Sequence, residues 1–275
     1  MSGEGRRGDG PRVERVGSRD NAGYKSLKRL VQDNAAYRRQ QRLWLEGDHL
    51  CRAALQRGRA PLEAVFSESE WNAAGHAWRD LPALNGARLT VLDDALWSSL
   101  SALESPARMG FVLELPAAPP LDPQAPTVVL DRVQDAGNVG SILRSASAFG
   151  FAQVLALCGT AALWSPKVLR AGMGAHFALR LIEGADASAV DALRVPLLAT
   201  SSHGGERLGS IALPWPCAWL LGHEGQGVAA ELLDRASQRV RIAQPGGEES
   251  LNVAAAAAIC LHASASAASP DPGHA

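Results

Sequence analysis

The 275-residue chain predicts an α/β protein in two parts: a C-terminal domain on a mostly parallel sheet, and a smaller N-terminal α/β domain. Three observations predict it. Between residues 127 and 265, short strand-like runs alternate with helical patterns, and the runs are apolar at nearly every position, as strands covered on both faces require. Residues 116–126 hold Pro116, Pro119, Pro120, Pro123 and Pro126, which block helix and sheet alike and mark a linker. Before that linker, residues 23–115 mix both patterns on a smaller scale, and 47% hydrophobic composition suffices for one large core or two small ones.

Residues 1–22, rich in Gly, Arg and Asp, are expected to form a disordered tail, as are residues 269–275. A helical pattern starts near Tyr24, with Leu27, Leu30 and Val31 on one face and Tyr37 and Leu43 extending the apolar set. Leu45-Glu46-Gly47 leads to a second helix through Leu50, Ala53, Ala54 and Leu55. Ala64–Phe66, Arg88–Leu92 and Phe111–Leu115 read as strands. After the linker, strands are expected at Thr127–Leu130, Gln153–Leu157, Phe177–Ile182, Val195–Thr200, Trp219–Leu221 and Val240–Ile242. Helices are expected from Val139 to Phe149, from Ser165-Pro166, through Leu232 and Leu233, and from Leu251 to the end of the domain, giving bounds of 127–268.

The formal charge of −1 averages unlike parts, because residues 1–42 carry 11 Lys/Arg against 5 Asp/Glu. Lys25, Lys28 and Arg29 form one cluster and Arg38, Arg39 and Arg42 another. Such a segment either meets nucleic-acid phosphates or is a solvated helix face. Cys51, Cys158, Cys217 and Cys260 make no CxxC pair, so neither a zinc site nor a disulfide framework is indicated, and a reducing cytoplasm fits. No metal is called for. The start of the chain lacks a secretory h-region, and the alanine-rich run from Ala254 is too short to span a bilayer.

Three loops stand out, each after an apolar run and before a helical pattern. They are Asp135-Ala136-Gly137-Asn138-Val139-Gly140, Leu221-Gly222-His223-Glu224-Gly225-Gln226-Gly227, and the segment from Pro245-Gly246-Gly247 to Ser250-Leu251-Asn252-Val253. In a parallel sheet all three fall beyond the C-terminal ends of strands, where ligands gather. Gly137 and Gly140 are expected to permit a turn. Asn138 reads as a helix cap or a site residue, Arg144 as a surface or a site residue, and Ser250 as the cap of the last helix. Asn252, just inside that helix, is then a local cost that points to function. His203 and His223 are candidate general bases or polar surface. A dinucleotide-binding GxGxxG, a phosphate loop ending in GK[ST] and a G-x-S-x-G elbow are all absent.

Together the loops resemble the SpoU (TrmH-like) family of RNA ribose 2′-O-methyltransferases, of the SPOUT superfamily. Asn138, Gly140 and Arg144 match its first motif, Gly222, Glu224 and Gly227 its second, and Ser250–Val253 its third. A looser match, through Tyr37-Arg38, Glu46-Gly47 and Ser105-Pro106, makes residues 23–115 similar to the family's ribosomal-protein-like substrate-binding domain. The resemblance implies a trefoil knot in the C-terminal domain and a homodimer sharing its active sites. It implies S-adenosyl-L-methionine held by Thr200, Leu221, Gly222, Gly227, Ile242 and Leu251. It assigns the catalytic set to Arg144, Asn138, Glu224, Ser250 and Asn252, with Arg144 tied to activation of the 2′-hydroxyl. It implies an RNA substrate, ribosomal RNA in preference to transfer RNA, clamped by the basic residues named above; a non-catalytic RNA-binding module of the same fold is the alternative. One stretch departs from the family: Ile242-Ala243-Gln244-Pro245-Gly246 stands where Ile-Pro-Met is commoner, so a proline is shifted and a methionine lost.

Overall fold

Two sheets organise the chain, one in each of two compact units that divide between Pro116 and Ala117. The computed structural model describes residues 13–101, 107–201, 204–246 and 250–268. The expected tails at residues 1–12 and 269–275, and also Ser105, Pro106, His203 and Gly247, lie outside the described residues.

In the first unit β1 (Val13–Val16) precedes α1 (Ala22–Gln32). The Asn21 side chain caps α1 by accepting from the Tyr24 N–H at 3.0 Å, and Tyr24, Leu27, Leu30 and Val31 form its buried face. α2 (Ala36–Gln40) follows. Gln41, at φ 52°, then turns the chain into β2 (Arg42–Glu46). Next come α3 (Asp48–Gln56), β3 (Glu63–Ser67), α4 (Glu68–Arg79), β4 (Arg88–Leu92), α5 (Asp94–Ser98) and β5 (Met109–Glu114). The sheet runs β1-β4-β3-β5-β2, with β5 antiparallel to both of its neighbours and the other pairs parallel.

Two expectations are corrected here, and two helices are added to them. Residues 13–22 are not a disordered tail, because β1 pairs with β4 from Val13↔Leu89 to Val16↔Leu92 and α1 begins at Ala22. Tyr37 and Leu43 do not continue the first helix, because the chain breaks at Asp33 and again at Gln41, putting Leu43 in a strand. Helices α4 and α5 were not anticipated: α4 packs Trp78 among Phe66 and Phe111, with ring centroids 6.3 and 5.6 Å away.

In the second unit the order is β6 (Thr127–Leu130), α6 (Ala136–Ala148), β7 (Gln153–Leu157), α7 (Pro166–Gly172), β8 (Arg180–Ala185), β9 (Leu197–Thr200), β10 (Glu206–Arg207), β11 (Ala218–Leu221), α8 (Ala230–Leu233), β12 (Gln238–Arg241) and α9 (Val253–Ala268). The sheet runs β10-β12-β9-β11-β6-β7-β8 and every strand pairing in it is parallel. Phe177 proves to lie in a single 3-10 turn (Ala175–Ala178), and the strand expected there starts only at Arg180.

One sheet face buries Val129, Leu155 and Leu220 against Val190, Leu193 and Leu232. The other carries α6, α7 and α9, with α6 packed on α7 and on α9. The Trp219 indole N–H, from β11, donates to Ser264 Oγ of α9 at 2.9 Å and satisfies a buried polar pair. The expected linker is pinned to this unit from Pro120 onward. The Asp122 N–H donates to Gln153 Oε1 (2.8 Å), the Arg194 N–H to the Pro123 carbonyl (2.8 Å) and Arg180 Nη1 to the Pro120 carbonyl (3.2 Å).

Sheet order positions the site. From β6 the chain winds outward to β7 and β8, then restarts at β9 on the far side of β11. Because the strands are parallel, the segments that follow β6, β9, β11 and β12 leave from one edge of the sheet, at the point where its winding reverses.

Candidate active site

Helix α6 starts with its cap at Asp135, whose Oδ1 accepts from the Asn138 N–H at 2.8 Å. That removes the capping alternative for Asn138, and it frees the Asn138 side chain for longer reach. Its Nδ2 donates to Glu224 Oε1 at 3.1 Å, and its Oδ1 accepts from Asn252 Nδ2 at 2.9 Å. Asn252 in turn caps α9, its Oδ1 accepting from the N–H groups of Ala254 (2.9 Å) and Ala255 (3.2 Å). The expected cap, Ser250, is corrected to Asn252; the residue that looked costly inside the helix stands before its first turn, where asparagine is favoured. One amide thus joins all three loops.

Glu224 is the other anchor. Its Oε1 also accepts from the Asp135 N–H (3.1 Å), and Oε2 accepts from the Gln134 N–H (3.2 Å). Burial opposes the charge on Glu224, but the hydrogen bonds from Asp135, Asn138 and Gln134 outweigh it and hold the carboxyl below its ordinary value.

The turn around Glu224 is built on close backbone approach. His223 and Gly227 exchange two backbone hydrogen bonds of 3.1 and 2.8 Å, and a Cβ on Gly222 would fall 2.1 Å from the Gly227 carbonyl carbon. Gly227 itself stands at φ +68°. His223 Nδ1 accepts from the Gly225 and Gln226 N–H groups (2.9 and 3.2 Å), so the candidate base is spent, at that nitrogen, on its own turn. Gly140 departs from expectation. It lies within α6, and an added Cβ would sit 2.3 Å from Ala171 Cβ of α7, so it serves helix packing rather than a turn. Gly137 too lies within α6.

A second tie was not legible in the sequence. Arg132, at φ 57°, grips the buried Asp131 carboxylate in two-pronged fashion (Nε–Oδ1 2.8 Å, Nη2–Oδ2 3.0 Å), and its Nη1 donates to Gln226 Oε1 at 3.0 Å. Asp131 Oδ2 also accepts from the Ala229 N–H at 2.8 Å, so both ends of the glycine-rich turn are bound to the segment after β6. Asp135 had a legible signal, since it stands three residues before Asn138 at capping distance; a left-handed arginine has none.

Beside this network lies a pocket of about 400 Å³, lined by Thr200, Ser201, Gly222–Gly227, Val240, Ile242, Gln244, Ser250, Leu251, Val253 and Ala256. Of the expected cofactor set, Thr200, Gly222, Gly227, Ile242 and Leu251 line it. Leu221 does not: its side chain is fully buried in β11, and its carbonyl accepts from the Asp131 N–H at 2.8 Å. Of the expected catalytic set, Glu224 and Ser250 line the pocket and Asn138 and Asn252 brace it. Arg144 is placed elsewhere. It is exposed, on a stripe of α6 with Gly137, Ser141 and Ala148, and no partner for its guanidinium is present among the described residues.

In the first unit Lys25 pairs with Asp20 at 2.8 Å, Arg39 with Asp33, and Arg38 stacks over the Tyr37 ring at 5.1 Å. Arg29 and Arg42 are exposed, and Lys28 is half-buried. Such exposed pairs are held weakly against solvent, so these cations can exchange partners readily. Among the described residues no group of three His, Cys, Asp or Glu side chains is placed to hold a metal, and no helix is long and apolar enough to cross a membrane.

The chain is similar to known proteins in sequence and in fold. The chain is 30% identical over 221 residues to the 23S rRNA (guanosine(2553)-2′-O)-methyltransferase RlmP of Bacillus subtilis, covering 79% of this chain and 86% of that protein. An uncharacterized tRNA/rRNA methyltransferase of Synechocystis is 28% identical over 263 residues, covering 91% and 93%. The AdoMet-bound rRNA methyltransferase of Sinorhizobium meliloti superposes with a TM-score of 0.77 at 28% identity, over 92% of this chain and 97% of that one. The profile of the SpoU rRNA methylase family matches residues 125–262, which hold all three bound loops and the strands that carry them, and the chain therefore belongs to that family.

Proposed function

We propose that this protein transfers a methyl group from S-adenosyl-L-methionine to a ribose 2′-hydroxyl of RNA, with ribosomal RNA preferred to transfer RNA. The observation that carries this reading is the hydrogen-bonded line Glu224–Asn138–Asn252 beside a pocket of mixed polar and apolar lining. The pocket fits the cofactor on its own chemistry. Val240, Ile242, Leu251 and Val253 offer an apolar wall for a flat base, and Gln244 Oε1 is a buried acceptor without a partner among the described residues. Thr200, Gly222, Gly227, Ile242 and Leu251 would hold the cofactor, which supplies an electrophilic methyl on a sulfonium when bound.

The residues around it divide the work. Asn138, Glu224 and Asn252 hold the loops in one geometry, so the attacked centre and the attacking oxygen need no reorganisation. Ser250, exposed and among the residues that line the pocket, is assigned to the incoming ribose. The Arg144 guanidinium carries hydrogen-bond donors and no acceptor, so it serves as a donor and not a base. Its guanidinium stabilises negative charge on the 2′-oxygen as the hydroxyl proton passes to water. Because Arg144 is exposed and outside its own chain's pocket, we assign it to the pocket of a second copy in a homodimer. Exposed Ile259 on α9, 41% accessible, supports an apolar contact between copies.

The finer architecture belongs to the same reading. The C-terminal segment is threaded as a trefoil knot, supported by the return of the chain from β12 to α6, where Asn252 meets Asn138. Residues 23–115 form the RNA-binding domain, with Lys25, Lys28, Arg29, Arg38, Arg39 and Arg42 meeting phosphates, and residues 127–268 the methyltransferase domain. The four free cysteines suit a cytoplasmic protein. The test is mapping of ribose methylation in ribosomal and transfer RNA from cells with and without the protein, joined to transfer of labelled methyl by the purified enzyme. One ribosomal nucleotide losing its mark is the expected result; a mark lost from transfer RNA alone, or from a base, overturns the assignment. A chain that binds RNA but not the cofactor is the non-catalytic module instead.

A further inference from the structure

The acceptors of the pocket are unevenly spent. Both Glu224 oxygens take internal hydrogen bonds, Gln226 Oε1 takes one from Arg132, and His223 Nδ1 takes two from its own turn. Gln244 stands apart: it lines the same pocket, its Oε1 is buried, and that oxygen has no partner among the described residues. A buried amide oxygen left bare costs stability, so such an atom calls for a donor from a ligand. The side chains that share this wall, Val240, Ile242, Leu251, Val253 and Ala256, are apolar. An ammonium group would be poorly served by an apolar wall where Glu224, the one carboxylate among the described lining residues, already has its donors. A flat heteroaromatic ring edged by a neutral amine fits it.

We propose that Gln244 is a specificity residue: its side-chain oxygen accepts a hydrogen bond from the 6-amino group of the adenine ring. The inference rests on the cofactor reading above and adds to it a residue at the one stretch where this chain departs from the family's commoner Ile-Pro-Met. In this chain a polar side chain does at the base what the commoner methionine cannot, so recognition of the amine gains a side-chain component.

Calorimetry with the full-length protein tests it without turnover. The ligands are S-adenosylhomocysteine and its analogue with hydrogen in place of the 6-amino group. The wild type is expected to prefer the amine by about tenfold, the worth of one buried hydrogen bond. Gln244→Met, close in shape, is expected to lose about tenfold for the amine-bearing ligand and to bring the two ligands within about threefold. Gln244→Leu is expected to behave alike, and thermal melting of both variants reports whether they fold. A Met or Leu variant that is folded yet keeps the full preference overturns the proposal, as does one that loses affinity equally for both ligands. A wild type that binds neither ligand overturns the cofactor reading itself, a result distinct from either.

Discussion

The two units carry their polar chemistry in opposite ways. In the second, every strand pairing is parallel, so the functional loops leave one sheet edge and their side chains bind each other: Glu224, Asn138 and Asn252 in one line, Asp131, Arg132 and Gln226 in another. In the first, β5 runs against its neighbours, loops leave both edges, and ion pairs such as Lys25–Asp20 and Arg52–Asp48 stand on the surface. A parallel sheet concentrates a site and a mixed sheet spreads a surface. Changes in the second unit are therefore expected to be large and cooperative, and those in the first small and additive.

The widest contrast comes from Arg144→Ala. Loss of a charged donor at a developing oxyanion is worth ~10²–10³ in rate. Methyl transfer is expected to fall by that much, while calorimetric affinity for S-adenosylmethionine stays within about twofold. Near-normal turnover would remove Arg144 from the chemistry.

Next is the network itself. Asn138→Ala strands Glu224 and Asn252 together, and is expected to weaken cofactor binding by ~10-fold or more. Combined with Asn252→Ala, the loss should be clearly less than the product of the two single losses. Strict additivity would mean the loops are not coupled.

Acid sharpens the contrast in another way. His176, in the second unit, is fully buried with its Nε2 beside the Leu163 carbonyl at 2.9 Å, and burial pushes its pKa down to about 4 from 6.5. Above pH 6.5 it is neutral whether folded or not. Below that, only the unfolded chain takes up the proton, so stability drains away until about pH 4. Urea titrations at pH 7 and pH 5 should differ by ~2 kcal/mol in the second unit's transition. Glu224 adds to this at lower pH, because its lowered pKa gives stability that is present above the ordinary carboxylate value and lost as pH falls through the folded one.

The smallest effects belong to the first unit. Arg29→Ala with Arg42→Ala is expected to lower RNA affinity several-fold and to flatten the salt dependence by ~0.7 for each phosphate that is no longer neutralised, with cofactor affinity unchanged. A salt slope identical to wild type would take this face out of RNA binding.

How much could be read in advance follows the same division. The inner strands of the second unit, β6, β7, β9 and β11, were legible because both faces are buried, and an unbroken apolar run such as Thr127–Leu130 has few other uses; β10, two exposed charged residues, was missed. In the first unit β1 was missed because its pattern, Val-Glu-Arg-Val, is short and half charged, and β2 because Tyr37 and Leu43 continue a helical spacing that Gln41 breaks. The loops were legible as a set, yet the jobs within them were not: Asp135 rather than Asn138 caps α6, Asn252 rather than Ser250 caps α9, and Gly140 serves packing against Ala171.

What residue order alone settled was periodicity and local chemistry: which stretches must be buried, and which loops carry amides, carboxylates and glycines too many for plain turns. Which of those groups meet was decided by the three-dimensional arrangement. Asn138 and Asn252 are 114 positions apart, and only the strand order β12-β9-β11-β6 brings their loops to one edge. Hydrogen bonds are directional and act over ~3 Å, so they answer to distance in space, which the spacing of residues along a chain does not contain.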